Sequence, residues 1–226
     1  MKSPMSWRAL AGPALFGAGA AIGARSVPGY RQRDEPISAL AAAGSPAAKF
    51  MVPAFVALGV GTLGLGREIR LTRALPSHVH VMLSVAGATT AGAGLARCSS
   101  RDCPSRFLGD ANATVADELH GVFSMATFLL WIALPAASAH ATRHSAPAFA
   151  RRSGILAGAT LVAWLTTGLL VSRRSPRWVG AAQRLMVLAA LSWFPTVASF
   201  IDQTPAGRSV PDLPGNAPSA TTQSGR

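Results

Sequence analysis

The sequence predicts an all-α fold: a polytopic integral membrane protein with a six-transmembrane-helix bundle ahead of a disordered C-terminal tail. Three observations carry this expectation. Charged residues make up only 13% of the 226-residue chain and apolar residues 50%, whereas about 25% charged is ordinary in a soluble domain. The apolar residues gather into Ala-, Gly-, Leu- and Val-rich runs of membrane-crossing length. Arginines bound these runs in small groups, as at the flanks of membrane helices.

A formal charge of +12 could suggest nucleic acid, which clustered Lys and Arg hold through phosphate. Here the basic residues are dispersed between apolar runs, so membrane lipids are the expected partners and nucleic acid is not. Only two of the 21 basic residues are lysine and Ala is heavily used, which fits a high-GC, actinobacterial genome. The expected location is a bacterial cytoplasmic membrane.

The first span, about 9–28, is Gly-rich and follows Lys2 and Arg8. A cleaved signal peptide is the competing reading, and the spans downstream favour a retained helix. Residues 25–49 form a polar connection holding Tyr30, Asp34, Glu35 and Ser38. Within it ISALAAAG, with Ile37 and Leu40 three apart, reads as a short interfacial helix. The second span, about 50–66, runs uncharged from Lys49 to Arg67. The third, about 74–96, carries Gly87, Ala91 and Gly94, small residues that let another helix come close. A polar loop with the chain's two cysteines, Cys98 and Cys103, leads to the fourth span, about 119–141, which contains the kink-prone Pro135. The fifth, about 153–172, lies between Arg151-Arg152 and Arg173-Arg174, and the sixth is about 185–201. Residues 1–202 are thus the membrane domain, and 203–226, rich in Pro, Gly, Ser, Thr and Asn, hold too little apolar content to pack.

Orientation is poorly determined by charge, with ten Lys and Arg on one side of such a bundle and eleven on the other. Cysteines separated by four residues in a polar loop close a small disulfide ring only in an oxidising compartment. On that reading Cys98 and Cys103 form a disulfide outside and both termini are cytoplasmic. A reduced cytoplasmic pair is the alternative.

Polar residues concentrate at the mouth of the fourth span. Asp117 and His120 are three apart and share a helix face. A carboxylate and an imidazole so placed could bind a metal or act as acid and base, with Ser38 assisting if the first loop approaches. The structural alternative is that Asp117 or Glu118 favours the positive end of the helix, capped by Thr114 or Asn112, while His120 bonds a neighbour. Asp34, Glu118 and Arg184 are candidate ligand-binding residues, Arg184 through a lipid phosphate or by snorkelling to headgroups. His140 and His144 have the i, i+4 spacing of zinc ligands, but no Glu stands between them and Pro147 follows. His78 and His80 point to different helix faces. A GxGxxG at Gly59, Gly61 and Gly64 lies inside an apolar helix and reads as helix packing. No catalytic residue is assigned, and neither a cofactor nor a metal is expected.

The chain resembles the uncharacterised bacterial membrane family called domain of unknown function 998. The resemblance rests on Tyr30 with ISAL at Ile37 to Leu40, GSP at Gly44 to Pro46, an acidic residue with His120 opening the fourth span, and Gly180, Gln183 and Arg184 before a span containing Trp193. It implies a six-helix membrane fold and no settled activity.

The expected function is therefore that of a multi-pass membrane protein that binds or senses a lipid or hydrophobic ligand, or supports an envelope complex. A lipid hydrolase using Asp117 and His120 is the alternative, and a small transporter a second. The transporter reading is weakened because mid-span polar residues are few: Thr89, Thr90, Thr127, Thr166 and Thr167.

Overall fold

In a computed structural model the described residues, 5–106, 109–173 and 177–204, form helices and turns, with no strand among them. The elements are α1 (Met5–Ser26), a 3-10 turn (Ile37–Ala41), α2 (Ala48–Thr72), α3 (Ser77–Leu95), α4 (Val115–Thr142), α5 (Pro147–Ser172), α6 (Val179–Leu191) and α7 (Trp193–Gln203). The tail expected to be disordered lies, from 205 on, outside the described residues.

Four stretches are long and apolar enough to cross a membrane: α2, α4, α5 and Val179–Gln203, which takes in α6 and α7. α1 and α3 fall below that mark, because glycine and alanine dilute both, Arg8 and Arg25 lie within α1, and threonines and two histidines lie within α3. Large apolar side chains face outward on α4 and α5, among them Val122, Met125, Leu129, Ile155, Val162 and Leu165. Such a surface suits lipid rather than water.

Chain neighbours pack side by side, α1 on α2, α2 on α3, and so on to α5 on α6, while α7 returns to α1 and closes the ring. α2 meets its two neighbours through glycine. A Cβ on Gly59 would lie 2.5 Å from the Gly87 carbonyl oxygen of α3, and one on Gly61 would lie 3.1 Å from Gly12 Cα of α1. Only glycine permits backbones to approach so closely, and dispersion then holds the helices together without a hydrophobic gradient. Leu58, Leu65, Ile69, Leu83, Leu134 and Met186 fill the centre.

Local signals set the helix ends. Thr114 Oγ1 accepts from the Asp117 N–H while Asp117 accepts from the Thr114 N–H, a capping box that starts α4. Pro147 occupies the first turn of α5, where its missing N–H has no cost. The expected sixth span is longer than 185–201 and broken: α6 ends at Leu191 and α7 begins at Trp193. Pro195 accounts for the break, since it cannot donate to the Leu191 carbonyl four residues back. The expected interfacial helix is instead a buried 3-10 turn. Ala39, Leu40 and Ala41 are no more than 2% exposed, and the turn dips between α1, α2 and α6.

Candidate functional site

The loop after α1 is tied down by the start of α6. Arg184 Nη1 donates to the carbonyls of Gln32, Glu35 and Gly180, and Nη2 donates to the Tyr30 hydroxyl. That hydroxyl donates onward to the carbonyls of Glu35 and Pro36, at 3.2 and 2.9 Å. Gln183 Oε1 accepts from the Ile37 N–H at 2.6 Å, fixing the first residue of the 3-10 turn. Gly180 permits this closeness, because a Cβ there would collide with the Gln32 and Glu35 carbonyls. Asp34 accepts from the Trp178 N–H and pairs with Arg33 at 2.9 Å, which holds its carboxyl below the ordinary range. Burial pushes the Tyr30 phenol up, with Arg184 pulling the other way.

The cysteine loop joins the same assembly. Cys98 and Cys103 form a disulfide with Cα atoms 5.0 Å apart. The Cys98 carbonyl accepts from Ala43 N–H at 2.8 Å, and Arg101 pairs with Glu35 at 2.8 Å. Asp117 holds the loop to α4: Oδ1 accepts from Ser99 N–H at 2.7 Å, and Oδ2 accepts from the Ser99 and Thr114 hydroxyls at 2.8 and 2.6 Å. Glu118 accepts from Arg106 N–H at 2.7 Å.

Beneath this cap lies a cavity of about 180 Å³. Phe16, Phe55, Phe128 and Trp131 give it aromatic walls, and Ser38, His120, Ser124 and Gln183 bring polar atoms to it. His120 is buried, and its Nδ1 meets the carbonyl oxygens of Ala93 at 2.8 Å and Ala96 at 3.0 Å. Both partners only accept, so Nδ1 carries the hydrogen and Nε2 keeps its lone pair. Nε2 makes no hydrogen bond among the described residues. Trp131, 6% exposed, has a buried Nε1–H with no partner among them. A buried donor left unmade costs about 1–3 kcal/mol, and Trp131, which carries that donor, and His120, which carries the free ring nitrogen, both belong to the wall of this cavity.

The structure brings Ser38 and His120 to one cavity but engages Asp117 elsewhere. Both Asp117 oxygens are occupied by Ser99 and Thr114, and His120 Nδ1 donates to carbonyls, where a triad would offer it a carboxylate. Asp34, Glu118 and Arg184 all hold loops together. Exposed His140 and His144 flank the Arg143 guanidinium, 3.1 and 2.9 Å away, which leaves no room for a shared cation. Thr90, Thr166 and Thr167 bond back to their own helices, and Thr127 donates to Thr89 at 2.8 Å. A larger groove of about 410 Å³ lies among Gly12, Gly61, Gly64 and Ala198, away from this cluster.

Sequence reasoning singled out neither Trp131 nor the tie from Gln183 to Ile37. The available signal was the family resemblance itself. Tyr30, Ile37 to Leu40, Gly180, Gln183 and Arg184 stood as separate marks in the chain, and here they meet.

No curated protein and no solved structure matches the chain. The family described as "Protein of unknown function (DUF998)" matches residues 10–199, which takes in the capped cavity and every helix around it, and the chain belongs to that family.

Proposed function

We propose that this is a six-span protein of the bacterial cytoplasmic membrane that binds a small, mostly apolar molecule in the cavity beneath its outer cap. The observation that carries the reading is the cavity itself, whose wall includes Trp131, with a buried and unpartnered Nε1–H, and His120, with a free Nε2. A ligand with one acceptor and one donor on an apolar frame, such as a hydroxylated or carbonyl-bearing lipid fragment, satisfies both. Its specificity comes from those two groups, and its affinity from the aromatic walls.

The six crossings include α1 and α3, which are less apolar but lie within the closed ring. The disulfide favours an oxidising, extracytoplasmic side for the cap, which leaves both termini cytoplasmic. Membrane lipids are the surrounding partners, supported by the outward apolar side chains of α4 and α5.

The test is organic extraction and mass spectrometry of protein purified in mild detergent. A discrete small molecule should accompany the native chain and be lost from Ser124→Trp, which fills the cavity. Trp131→Phe, which removes the donor, should reduce occupancy about tenfold, the worth of one neutral hydrogen bond. Equal recovery from the native chain and Ser124→Trp would refute the site.

A further inference from the structure

Three donor atoms converge at the cavity wall: a ring nitrogen of His120 and the sulfurs of Cys98 and Cys103 lie within 4.8 Å of one another. Cys98 and His120 are buried and Cys103 is partly buried. We propose that the reduced chain binds one zinc-class divalent cation through Cys98, Cys103 and His120, and that the disulfide is the closed, metal-free state of the same site.

The donor chemistry selects the metal. Two thiolates and an imidazole suit a borderline-soft cation, and four residues between the cysteines fall within the spacing of zinc-binding pairs. The orientation of His120 is that of a ligand. Metal-bound histidines donate their other ring N–H to a carbonyl or carboxylate, which fixes tautomer and ring plane, and here Nδ1 donates to Ala93 and Ala96 before any metal arrives. It is also the only buried histidine among the described residues. Cys103 adopts φ 51°, left-handed backbone uncommon outside glycine, and this bend returns the chain toward Cys98. Three protein donors leave a fourth position for water or for a ligand from the cavity, since Cys103 and His120 both line it.

The interconversion balances. A dithiol delivers two electrons and two protons, the Cys98–Cys103 bond breaks to two thiols, and the dithiol becomes its own disulfide. The divalent cation then displaces two thiol protons, so binding weakens as pH falls. The proposal needs only these three side chains; the metal takes the His120 nitrogen that a cavity ligand would otherwise meet, so at that atom metal and ligand exclude one another, and the metal test requires no cavity ligand.

The test uses purified full-length protein in detergent, reduced with a phosphine and titrated with Co²⁺ and then Zn²⁺. One Co²⁺ per chain should give tetrahedral d–d bands with thiolate charge transfer, bleached by Zn²⁺, and the oxidised protein should give neither. Zn²⁺ should protect both cysteines of the reduced native chain from alkylation, which needs no variant. His120→Ala should weaken binding at least tenfold, while His140→Ala with His144→Ala should leave it unchanged. Octahedral cobalt spectra, unprotected thiols, or equal binding by the oxidised chain would overturn the proposal.

Discussion

Replacing Arg184 by lysine keeps the charge and removes the fork, and so separates a clasp from a lipid-phosphate contact. In the structure one guanidinium nitrogen serves three carbonyls and the other serves the Tyr30 hydroxyl, with the guanidinium 5.5 Å from the centre of the Tyr30 ring. Lysine can reproduce one or two of these contacts from a single ammonium, but not the planar spread. Hydrogen bonds to charged groups contribute about 1.5–3 kcal/mol each when buried, and partial exposure here lets water recover much of that. Losing two of them leaves a net cost of about 2 kcal/mol. For a chain of this size that lowers Tm by about 4–8 °C. The assay is thermal unfolding in a fixed detergent, with hydrogen exchange over residues 30–41. The loss should appear in lipid-free micelles, and the Tyr30→Phe double-mutant cycle should show coupling of about 1 kcal/mol, since the two side chains touch. A Tm within about 1 °C of native in micelles, with a deficit only when anionic lipid is added, would refute the clasp and restore the phosphate reading.

Three further outcomes follow from the same geometry. Tyr30 is the chain's one tyrosine, so its ionisation is read directly from ultraviolet absorbance. Its folded-state pKa is raised above the usual 10, so its contribution to stability is present below that pH and is lost as pH climbs through the folded value. The absorbance midpoint should lie above 10 and move higher in Arg184→Met, which removes the charge that lowers it; a midpoint at or below 10 would contradict burial. Gly59→Ala drives a Cβ to 2.5 Å from the Gly87 oxygen and should cost about 1–3 kcal/mol in unfolding free energy, whereas Gly64→Ala, with nothing within 4 Å, should be neutral or stabilising by up to about 1 kcal/mol. Asp117→Asn leaves Oδ1 able to accept but turns the Oδ2 position, which accepts from Thr114 and Ser99, into a donor. It should lower stability by about 2–4 kcal/mol and open residues 97–114 to proteolysis; unchanged protection would remove Asp117 as the loop's anchor.

The helices were legible because long apolar runs bounded by arginine have few folded solutions in lipid. Their ends were less so. Pro195 stood in plain view inside the sixth run, and its effect on the Leu191 carbonyl shows only once the helix register is known. ISALAAAG carries the same apolar spacing whether it lies on a membrane surface or is buried among α1, α2 and α6. The choice is made by partners 146 residues away in sequence, through Gln183 and Ile37. The start of α4 was readable as Thr-x-x-Asp, which is local chemistry. The cavity was not, because an unpartnered tryptophan N–H is a property of its surroundings and leaves no mark in sequence spacing.

Gln183 connects these levels. Its side chain accepts the Ile37 N–H and also lines the cavity, next in sequence to the Arg184 that holds Tyr30. The 3-10 turn is therefore both floor of the cap and roof of the cavity, and the residues that fix its position are those that shape the cavity. Mid-helix threonines meanwhile bond back to their own backbones or, for Thr127, across to Thr89, which leaves Trp131 with the open buried donor among the described residues of the helix bundle. Unsatisfied polar groups are costly within a membrane, and the buried Trp131 N–H and the free His120 nitrogen carry that cost beneath a cap secured by Arg184, Gln183, Asp117 and a disulfide, which is the physical ground of the proposed ligand site.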